Sequence, residues 1–171
     1  LTFYNVLASW DLGSLTLTSS TTYDRWQFRQ FQDLIGLNAT ADALKGAPGS
    51  GLWGVMVDFD YTGDEVVHET RLASNNTGFF NWQAGLYYTN KETDQNQTYL
   101  PIDRTAHSVQ STEFGGSDQP ASYRELAGFG NLKFEITPTF DVSVGGRYSS
   151  QHQAFEQIGR VVAPSLPRAE A

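Results

Sequence analysis

Two aspartates and a glutamate come close to the spacing of a calcium-binding loop. The segment that starts at Asp58, continues through Asp60 and ends at Glu69 nearly fits the pattern D-x-[DN]-x-[DN]-G-x5-E, whose hard oxygen ligands would surround Ca²⁺. Thr62 replaces the third acid, Glu65 stands where an apolar residue is usual, and no helical periodicity flanks the segment. The sequence therefore favours an acidic solvated loop, and no resident metal or cofactor is expected.

The other residue types that could carry chemistry form no catalytic pattern. His68, His107 and His152 are isolated and have no partner at metal-ligand spacing. The glycine-rich stretches lack the lysine and the following helix of a phosphate loop, and no G-x-S-x-G elbow occurs. Cysteine is absent, which excludes thiolate metal sites and disulfides. The sequence therefore predicts a protein that is not an enzyme.

Charge and composition limit the classes of partner and fold. Eleven Lys and Arg are scattered among nineteen Asp and Glu, for a net charge of -8, so no basic patch is present to bind nucleic acid. Only 39% of residues are hydrophobic although 13% are aromatic, a mixture typical of strands that are apolar on one side and polar on the other. No apolar run approaches the ~20 residues of a membrane-spanning helix, so this chain could cross a bilayer only as strands.

Tight-turn sequences recur at intervals of roughly 60 residues between long alternating segments. They are Asp11–Gly13, Asn75–Gly78 and Thr137–Thr139. Between the resulting hairpins lie two Gly-, Asn- and Asp-rich stretches, Phe31–Glu65 and Gln95–Ser122, which we expect to be irregular. Short turns that alternate with long loops are typical of the periplasmic and extracellular ends of outer-membrane barrels.

The strands after the second and third turns alternate with a period of two residues over an unusual length. One side is polar and includes Gln83, Ser143 and Arg147, which we expect to face a barrel interior. The other side is apolar, ends in aromatic residues and is expected to face lipid. Its members are Phe80, Trp82, Leu86 and Tyr88 on the first strand and Phe140, Val142, Val144 and Tyr148 on the second.

The spacing of the aromatic residues separates a membrane sheet from a soluble one. Phe80 and Tyr88 are eight residues apart, which at ~3.3 Å per residue and a tilt of about 45° spans roughly 19 Å. Aromatic girdles flank an apolar band of about 25 Å in outer-membrane barrels. The predicted fold is therefore all-β, an antiparallel up-and-down transmembrane β-barrel segment of about six strands in three hairpins.

All three hairpins resemble passages of TonB-dependent receptor barrels. His68–Ser74 followed by Phe80–Tyr88 resembles the family's E-x-R-L-A-S … W-x-x-G-x-[FY]-Y passage. Glu125–Leu132 with Asp141–Tyr148 is similar to its E-x-x-x-F-G … L-x-x-G-x-R-[YF] hairpin, and Ser14–Tyr23 is similar to its first hairpin. The resemblance covers the hairpins and almost none of the loops.

This resemblance implies a role and partners that the residues alone do not. Members of the family take up iron-siderophore complexes, cobalamin or carbohydrate-like solutes, with energy from the TonB complex, through a barrel that surrounds a plug domain. By resemblance, residues 1–171 are part of such a barrel in the outer membrane of a Gram-negative bacterium. Its expected partners are outer-membrane lipid, the plug, the remaining strands and a small solute. No plug is visible, and the chain opens as a strand at Leu1, so we expect a piece of a longer protein.

A few side chains are candidates for contact with a solute. Tyr87 is an aromatic residue on the polar side, where it could stack on a ligand or pack against a plug. Arg147 lies on the same side and could line a solute path or only solvate the interior. Trp53, Tyr61 and Tyr99 lie in the expected long loops and offer stacking faces for a polar solute. We expect those loops to be extracellular and to carry the specificity of this region.

Two other interpretations remain open. A small barrel or adhesin without transport would use the long loops to bind surface partners, although six strands alone would leave unpaired edges in lipid. A secreted β-sandwich, such as a carbohydrate-binding module, would bury Val, Ile and Leu rather than end its strands in Tyr. The residues therefore favour the receptor segment over both.

Overall fold

The computed structural model describes residues 1–33, 52–76, 78–103, 108–109, 113 and 115–161, without the side chains of residues 52–54 and 103. Within these ranges the protein consists of strands and their connections, and no helix has the length and apolar character needed to cross a membrane. The strands are β1 (Thr2–Asp11), β2 (Leu15–Asp33), β3 (Leu52–Ser74), β4 (Phe80–Asp103), β5 (Gly115–Thr137), β6 (Phe140–Phe155) and β7 (Ile158–Val161).

The six long strands follow one another in a single sheet. β1 to β6 are neighbours in chain order and run antiparallel, up and down, and the short β7 pairs with β5. β1 pairs with β2 over its whole length, from Thr2 opposite Arg25 to Asp11 opposite Thr16. The all-β, antiparallel up-and-down prediction is confirmed. The structure adds a seventh strand of four residues that the sequence pattern did not indicate.

The two stretches predicted to be irregular are in large part strand. β3 already begins at Leu52, β4 continues to Asp103, and β5 begins at Gly115. The prediction of irregular structure over Phe31–Glu65 and Gln95–Ser122 was therefore wrong for these parts. Most of the remaining residues of both stretches lie outside the part of the chain that the structure describes.

Contacts between strands explain why these polar stretches are extended. Asp and Asn are poor strand formers by themselves, but side-chain contacts across a sheet can override that preference. On β3, Asp58 forms an ion pair with Arg29 of β2, and Asp60 accepts a hydrogen bond from Gln27 at 3.2 Å. These partners lie 29 and 33 residues away along the chain. A local sequence pattern could not reveal such distant partners. Because of these contacts, Asp58 and Asp60 lie on a strand rather than in the predicted loop.

The chain divides into two compact units. Unit 1 comprises Leu1–Trp26, Gly63–Thr93 and Ala121–Ala154, and unit 2 comprises Gln27–Thr62, Asp94–Pro120 and Phe155–Ala171. Each of the strands β2 to β6 contributes residues to both units. Unit 1 contains the short turns, and unit 2 contains the pairing of β7 with β5.

In unit 1 the first two short turns are hydrogen-bonded to each other. Gly13 has a φ of 82°, which residues with a Cβ rarely adopt, and its N–H donates to Asp11 Oδ1 at 2.8 Å. The backbone N–H of Asn75 in the next turn donates to Ser14 O at 2.9 Å, and Thr16 Oγ1 donates to Asn75 Oδ1 at 2.7 Å. The structure thus brings together turns that the sequence predicted to share one end of the sheet.

In unit 2 a proline marks the interruption between β6 and β7. The carbonyl of Pro120 on β5 accepts a hydrogen bond from the Glu156 N–H at 3.0 Å, but its ring nitrogen has no hydrogen to donate. β7 then pairs with β5, starting with Ile158 opposite Asp118. The loss of one donor explains why the pairing to β5 comes in two pieces.

Candidate functional site

In unit 1 six of the eight apolar side chains predicted to face lipid are exposed. Leu86 is 63% exposed, Val144 60% and Tyr148 83%. Three further members of the set are also exposed: Phe80, Phe140 and Val142. Two are intermediate: Trp82 and Tyr88. Exposed apolar side chains that share one side of a sheet are a feature of surfaces that bind membranes, other proteins or ligands.

Aromatic rings pair near both ends of the unit 1 strands. Close to the short turns, the ring of Phe134 lies 5.1 Å from that of Phe80 and 5.9 Å from that of Phe79. On the first hairpin, Tyr4 and Tyr23 are opposite each other, far from the turn, and their rings stack at 6.5 Å. Aromatic residues at two levels along the strands are typical of the girdles of outer-membrane barrels.

The polar side of unit 1 holds a cluster centred on Glu125, which is only 8% exposed. Arg147 Nη2 donates to Glu125 Oε1 at 2.6 Å, and the Tyr123 hydroxyl donates to the second carboxylate oxygen at 2.9 Å. The guanidinium also lies over the ring of Tyr87, with 4.8 Å between Cζ and the ring centroid. Such partners are required because an unpaired charge away from water is costly.

This cluster unites two predicted candidates with two residues that sequence reasoning did not single out. Tyr87 and Arg147 were both assigned to the polar side, and they are in contact. Tyr123 and Glu125 are alternate residues of β5, so their side chains share the polar side. Their place in the cluster depends on Arg147, which belongs to another strand. The cluster fixes a half-exposed guanidinium against an aromatic ring. Such a group can donate hydrogen bonds to a carbonyl, hydroxyl or carboxylate.

Further charged side chains on this side also have partners of opposite charge. In the pairs that involve Lys133 or Lys91, the lysine nitrogen lies 3.1 to 3.7 Å from the carboxylate oxygen. These ion pairs join Lys133 to Glu135 and to Asp141, Lys91 to Glu65, and Arg71 to Glu69. Lys133 pairs with two carboxylates, so the acids of these pairs outnumber the bases on this side.

Gln83 and Ser143, the other predicted interior residues, line one hollow of about 370 Å³. Lys133 lines it as well. Trp82, which was predicted to face lipid, also borders this hollow, and its backbone N–H donates to Ser74 Oγ at 2.8 Å. The hollow thus groups polar side chains from several strands, as expected for one side of an alternating sheet.

Unit 2 contains a stack of three aromatic rings. Tyr61 lies 5.6 Å from Phe28 and 5.9 Å from Phe59, measured between ring centroids. Tyr61 was a predicted stacking residue, whereas Phe28 was missed because its partner belongs to another strand. The Tyr99 hydroxyl donates to a glutamine of its own strand at 3.2 Å. Trp53 falls within β3, but its side chain lies outside the described part of the structure.

The carboxylates of the candidate calcium loop lie on β3 and have other partners. Asp58 Oδ1 accepts a hydrogen bond from Arg29 Nε at 2.9 Å, and this contact holds the pKa of Asp58 below its ordinary value. Asp60 accepts from a glutamine of β2, and Glu69 pairs with Arg71. Among the described residues, no group of three or more His, Asp or Glu side chains could hold a metal ion. An extended strand replaces the loop that would wrap around an ion.

A second polar cluster of unit 2 secures β7. Arg160 Nη1 lies 2.7 Å from both carboxylate oxygens of Asp118, and Asn96 Nδ2 donates to Asp118 Oδ1 at 2.7 Å. Arg160 Nη2 also donates to Asn96 Oδ1 at 3.4 Å. These contacts join β4, β5 and β7. Sequence reasoning missed them because the residues are 22 to 64 positions apart.

Comparison with known proteins gives a match at the level of the fold. The ferric yersiniabactin uptake receptor FyuA from Yersinia pestis matches with a TM-score of 0.61 at 12% sequence identity. The match covers 92% of this chain and 24% of the FyuA chain. This chain has a β-barrel receptor-like fold. No protein-family model matches the sequence, and no curated protein matches it.

The receptor-like fold agrees at a coarse level with the resemblance of the three hairpins to receptor barrels. An identity of 12% supports the fold alone, and the chain spans about a quarter of the length of FyuA. FyuA is an uptake receptor for ferric yersiniabactin. The solute and the activity of the whole protein are therefore matters of proposal.

Proposed function

We propose that this chain forms part of the barrel wall of an outer-membrane receptor of a Gram-negative bacterium. The receptor takes up a scarce solute, such as an iron-siderophore complex, cobalamin or a carbohydrate-like molecule, with energy delivered by the TonB complex. The likeness to FyuA supports this function, because FyuA is an uptake receptor with the same fold over 92% of this chain. In this function the chain performs no catalysis.

The separation of apolar from polar side chains in unit 1 carries the proposal. Leu86 and Val144 are exposed, whereas Glu125 is buried against Arg147. In water, covering apolar surface gains roughly 25 cal/mol per Å², so a soluble fold would tend to cover these side chains. In a bilayer the same exposure is favourable, provided that every strand is paired in a closed barrel.

The edges of the sheet supply the reason to expect partner strands. Among the described strands, β1 and β6 are the two ends of the path, and each has one long-strand neighbour. In lipid an unpaired backbone edge would cost several kcal/mol for each unsatisfied group. In the proposed receptor, the remaining barrel strands pair with β1 and β6, and a plug packs against part of the polar side.

In the proposed arrangement the short turns are periplasmic and the longer connections are extracellular. The connection between β2 and β3 comprises residues 34–51, and the one between β4 and β5 comprises residues 104–114. These connections contact the solute, together with strand residues such as Tyr61 and Tyr99. Aromatic side chains suit this role because they combine a stacking face with a polar group.

A small barrel or adhesin that binds a surface partner without transport is the alternative that the same fold allows. It differs from the receptor in needing neither a plug nor an energy source. The secreted β-sandwich is disfavoured, because the consecutive order of β1 to β6 in one sheet differs from the Greek-key connections of sandwiches. Uptake measurements therefore separate the two membrane functions.

Single-cysteine labelling in the full-length protein tests the membrane placement. Val144→Cys and Ser143→Cys replace neighbours on β6 whose side chains point to opposite sides of the sheet. A lipid-phase maleimide should label Val144→Cys and spare Ser143→Cys, and a water-soluble maleimide should show the reverse preference. Lipid-phase labelling of Ser143→Cys instead would invert the two sides and contradict the proposal.

Deletion of the long connections tests the transport role. Residues 34–51 and residues 104–114 are removed separately and together from the full-length protein, and surface levels are measured by immunoblot of outer membranes. Uptake is then followed with radiolabelled ferric siderophores, cobalamin and oligosaccharides. Uptake of one of these solutes by the unaltered protein, lost on deletion at normal surface levels, supports the receptor. Uptake of none of them favours the adhesin.

A further inference from the structure

A groove of about 420 Å³ lies on the polar side of unit 1, within the ~300 to 1,000 Å³ range of small-molecule sites. It is distinct from the hollow near the short turns, with which it shares no lining residue. Four strands contribute to it. Its lining residues are Leu7, Thr18, Ser20, Thr22, Val67, Glu69, Arg71 and Tyr87.

One wall of the groove is a row of three hydroxyl groups. Thr18, Ser20 and Thr22 are alternate residues of β2, so their side chains point to the same side. Asn5 Nδ2 donates to Thr22 Oγ1 at 2.8 Å and to Ser20 Oγ at 3.3 Å, which fixes both oxygen positions. A hydroxyl that accepts a hydrogen bond keeps its own hydrogen to donate. The row can therefore both donate to and accept from a ligand.

The other wall combines an ion pair with an aromatic ring. Glu69 and Arg71 are paired and partly exposed, with 32% and 44% of their side chains accessible. The pair occupies one carboxylate oxygen and one guanidinium nitrogen, so further acceptor and donor sites of both groups remain. Tyr87 lines this wall with its ring, one face of which the Arg147 guanidinium covers. Leu7 and Val67 add apolar patches between these groups.

The electrostatics of the groove select the class of ligand. Its two charged residues, Glu69 and Arg71, cancel each other, so an anionic ligand would find no uncompensated cation there. A purely apolar ligand would leave the hydroxyls and the ion pair without water, which is costly. A ligand with many hydroxyl groups and apolar C–H faces satisfies both walls.

We propose that this groove binds a neutral, polyhydroxylated molecule of the carbohydrate class. The hydroxyl row and the ion pair exchange hydrogen bonds with the sugar hydroxyls, and the C–H faces of the sugar rings pack against Tyr87, Leu7 and Val67. This inference rests on the proposed function, because it names the substrate class of the receptor. It adds a site on the wall itself rather than in the extracellular connections.

Calorimetric titration of the purified full-length protein in detergent tests the groove directly. The probes are neutral hexasaccharides with α-linked glucose, β-linked glucose, β-linked xylose and β-linked mannose, and hexagalacturonate serves as the anionic counterpart of equal length. At least one neutral probe should bind, and hexagalacturonate should bind at least tenfold more weakly. Binding of hexagalacturonate alone, or of none of the probes, would overturn the proposal.

Paired variants on β2 separate a groove contact from a general effect on folding. Ser20→Ala and Thr22→Val each remove one hydroxyl and should weaken binding roughly 2- to 12-fold, as expected for one lost hydrogen bond. Ser19→Ala lies on the opposite side of the same strand and should leave the Kd unchanged. Equal Kd values for the Ser19 and Ser20 variants would contradict the assignment.

The Tyr87 variants test the stacking contact in the same assay. Tyr87→Phe keeps the ring and should bind within a few fold of the unaltered protein, whereas Tyr87→Ala should lose most of the affinity. Binding in detergent does not depend on location in a membrane. If a hexasaccharide binds but the lipid-phase maleimide does not label Val144→Cys, the result supports the carbohydrate groove and contradicts the proposed receptor function.

Discussion

Unit 1 and unit 2 are built largely from the same strands, yet the aliphatic side chains of their central strands differ in exposure. Unit 1 exposes Leu86 and Val144, whereas unit 2 buries Val55, Val57 and Ile102. In unit 1 the ion pairs of Arg147, Lys133 and Lys91 lie on the side opposite the exposed apolar set, whereas Arg25 and Asp64 pair on the side of Tyr23. In unit 2 charged pairs lie beside buried aliphatic residues on the same few strands.

This contrast teaches what an alternating pattern can and cannot specify. A period of two decides which residues of one strand share a side, because successive side chains point in opposite directions. The solvent that the side meets follows from the neighbouring strands and from the surroundings of the sheet. Under the proposed function, the exposed aliphatic residues of unit 1 contact lipid.

A charge placed within the exposed apolar set should give the largest effect. Val144→Arg should lower the free energy of unfolding in lipid vesicles by about 2 to 4 kcal/mol, the cost of Arg near the midplane of a bilayer. Ser143→Arg is the matched control on the polar side and should change it by no more than about 0.5 kcal/mol. Urea titration followed by tryptophan fluorescence measures both. Equal destabilisation by Val144→Arg and Ser143→Arg would contradict the assignment of one side of unit 1 to lipid.

A methyl group added at a tightly packed glycine of unit 1 should give the next largest effect. A Cβ at Gly85 would collide with the ring of Phe129 and lie 2.8 Å from the Thr70 carbonyl oxygen. Gly85→Ala should therefore destabilise the protein by about 1 to 3 kcal/mol. At Gly146 nothing lies within 4 Å of the added Cβ, so Gly146→Ala should change the stability by about 0.5 kcal/mol or less. The same urea assay decides, and a stable Gly85→Ala variant would show that Phe129 packs elsewhere.

Removal of the arginine that secures β7 should give a local effect in unit 2. Arg160→Ala deletes the contacts with Asp118 and Asn96, so amide hydrogens of β7 should exchange roughly 2- to 12-fold faster. Hydrogen exchange followed by mass spectrometry measures this change peptide by peptide. Arg29→Ala, which also removes an ion pair of unit 2, should leave exchange in β7 unaltered. Unchanged protection in the Arg160 variant would mean that backbone pairing alone holds the strand.

Removal of the ion pair between Arg29 and Asp58 should have the smallest effect on stability, and that effect should depend on pH. The hydrogen bond from Arg29 lowers the pKa of Asp58, so its stabilisation is present above the unfolded pKa of about 3.9. That stabilisation is lost as the pH falls through the lowered folded pKa. Asp58→Asn should thus reduce the Tm by no more than about 2 °C at pH 7, because Arg29 is largely exposed. Once the pH is below the folded pKa of Asp58 the difference should vanish, and a difference that persists to the lowest pH at which the protein stays folded would assign it to packing.

The sequence by itself determined the alternation of β4 and β6, the positions of the short turns, and the sharing of one side by Tyr87 and Arg147. These features are local, because they depend on side-chain direction along one strand and on residues such as Gly13 that permit a turn. The tertiary structure decided that Glu125 receives Arg147, that Arg160 reaches Asp118, and that the Asp-rich start of β3 is strand rather than loop. Each of these depends on partners 22 to 42 residues away, and the free energy of such contacts exists only once the strands are aligned.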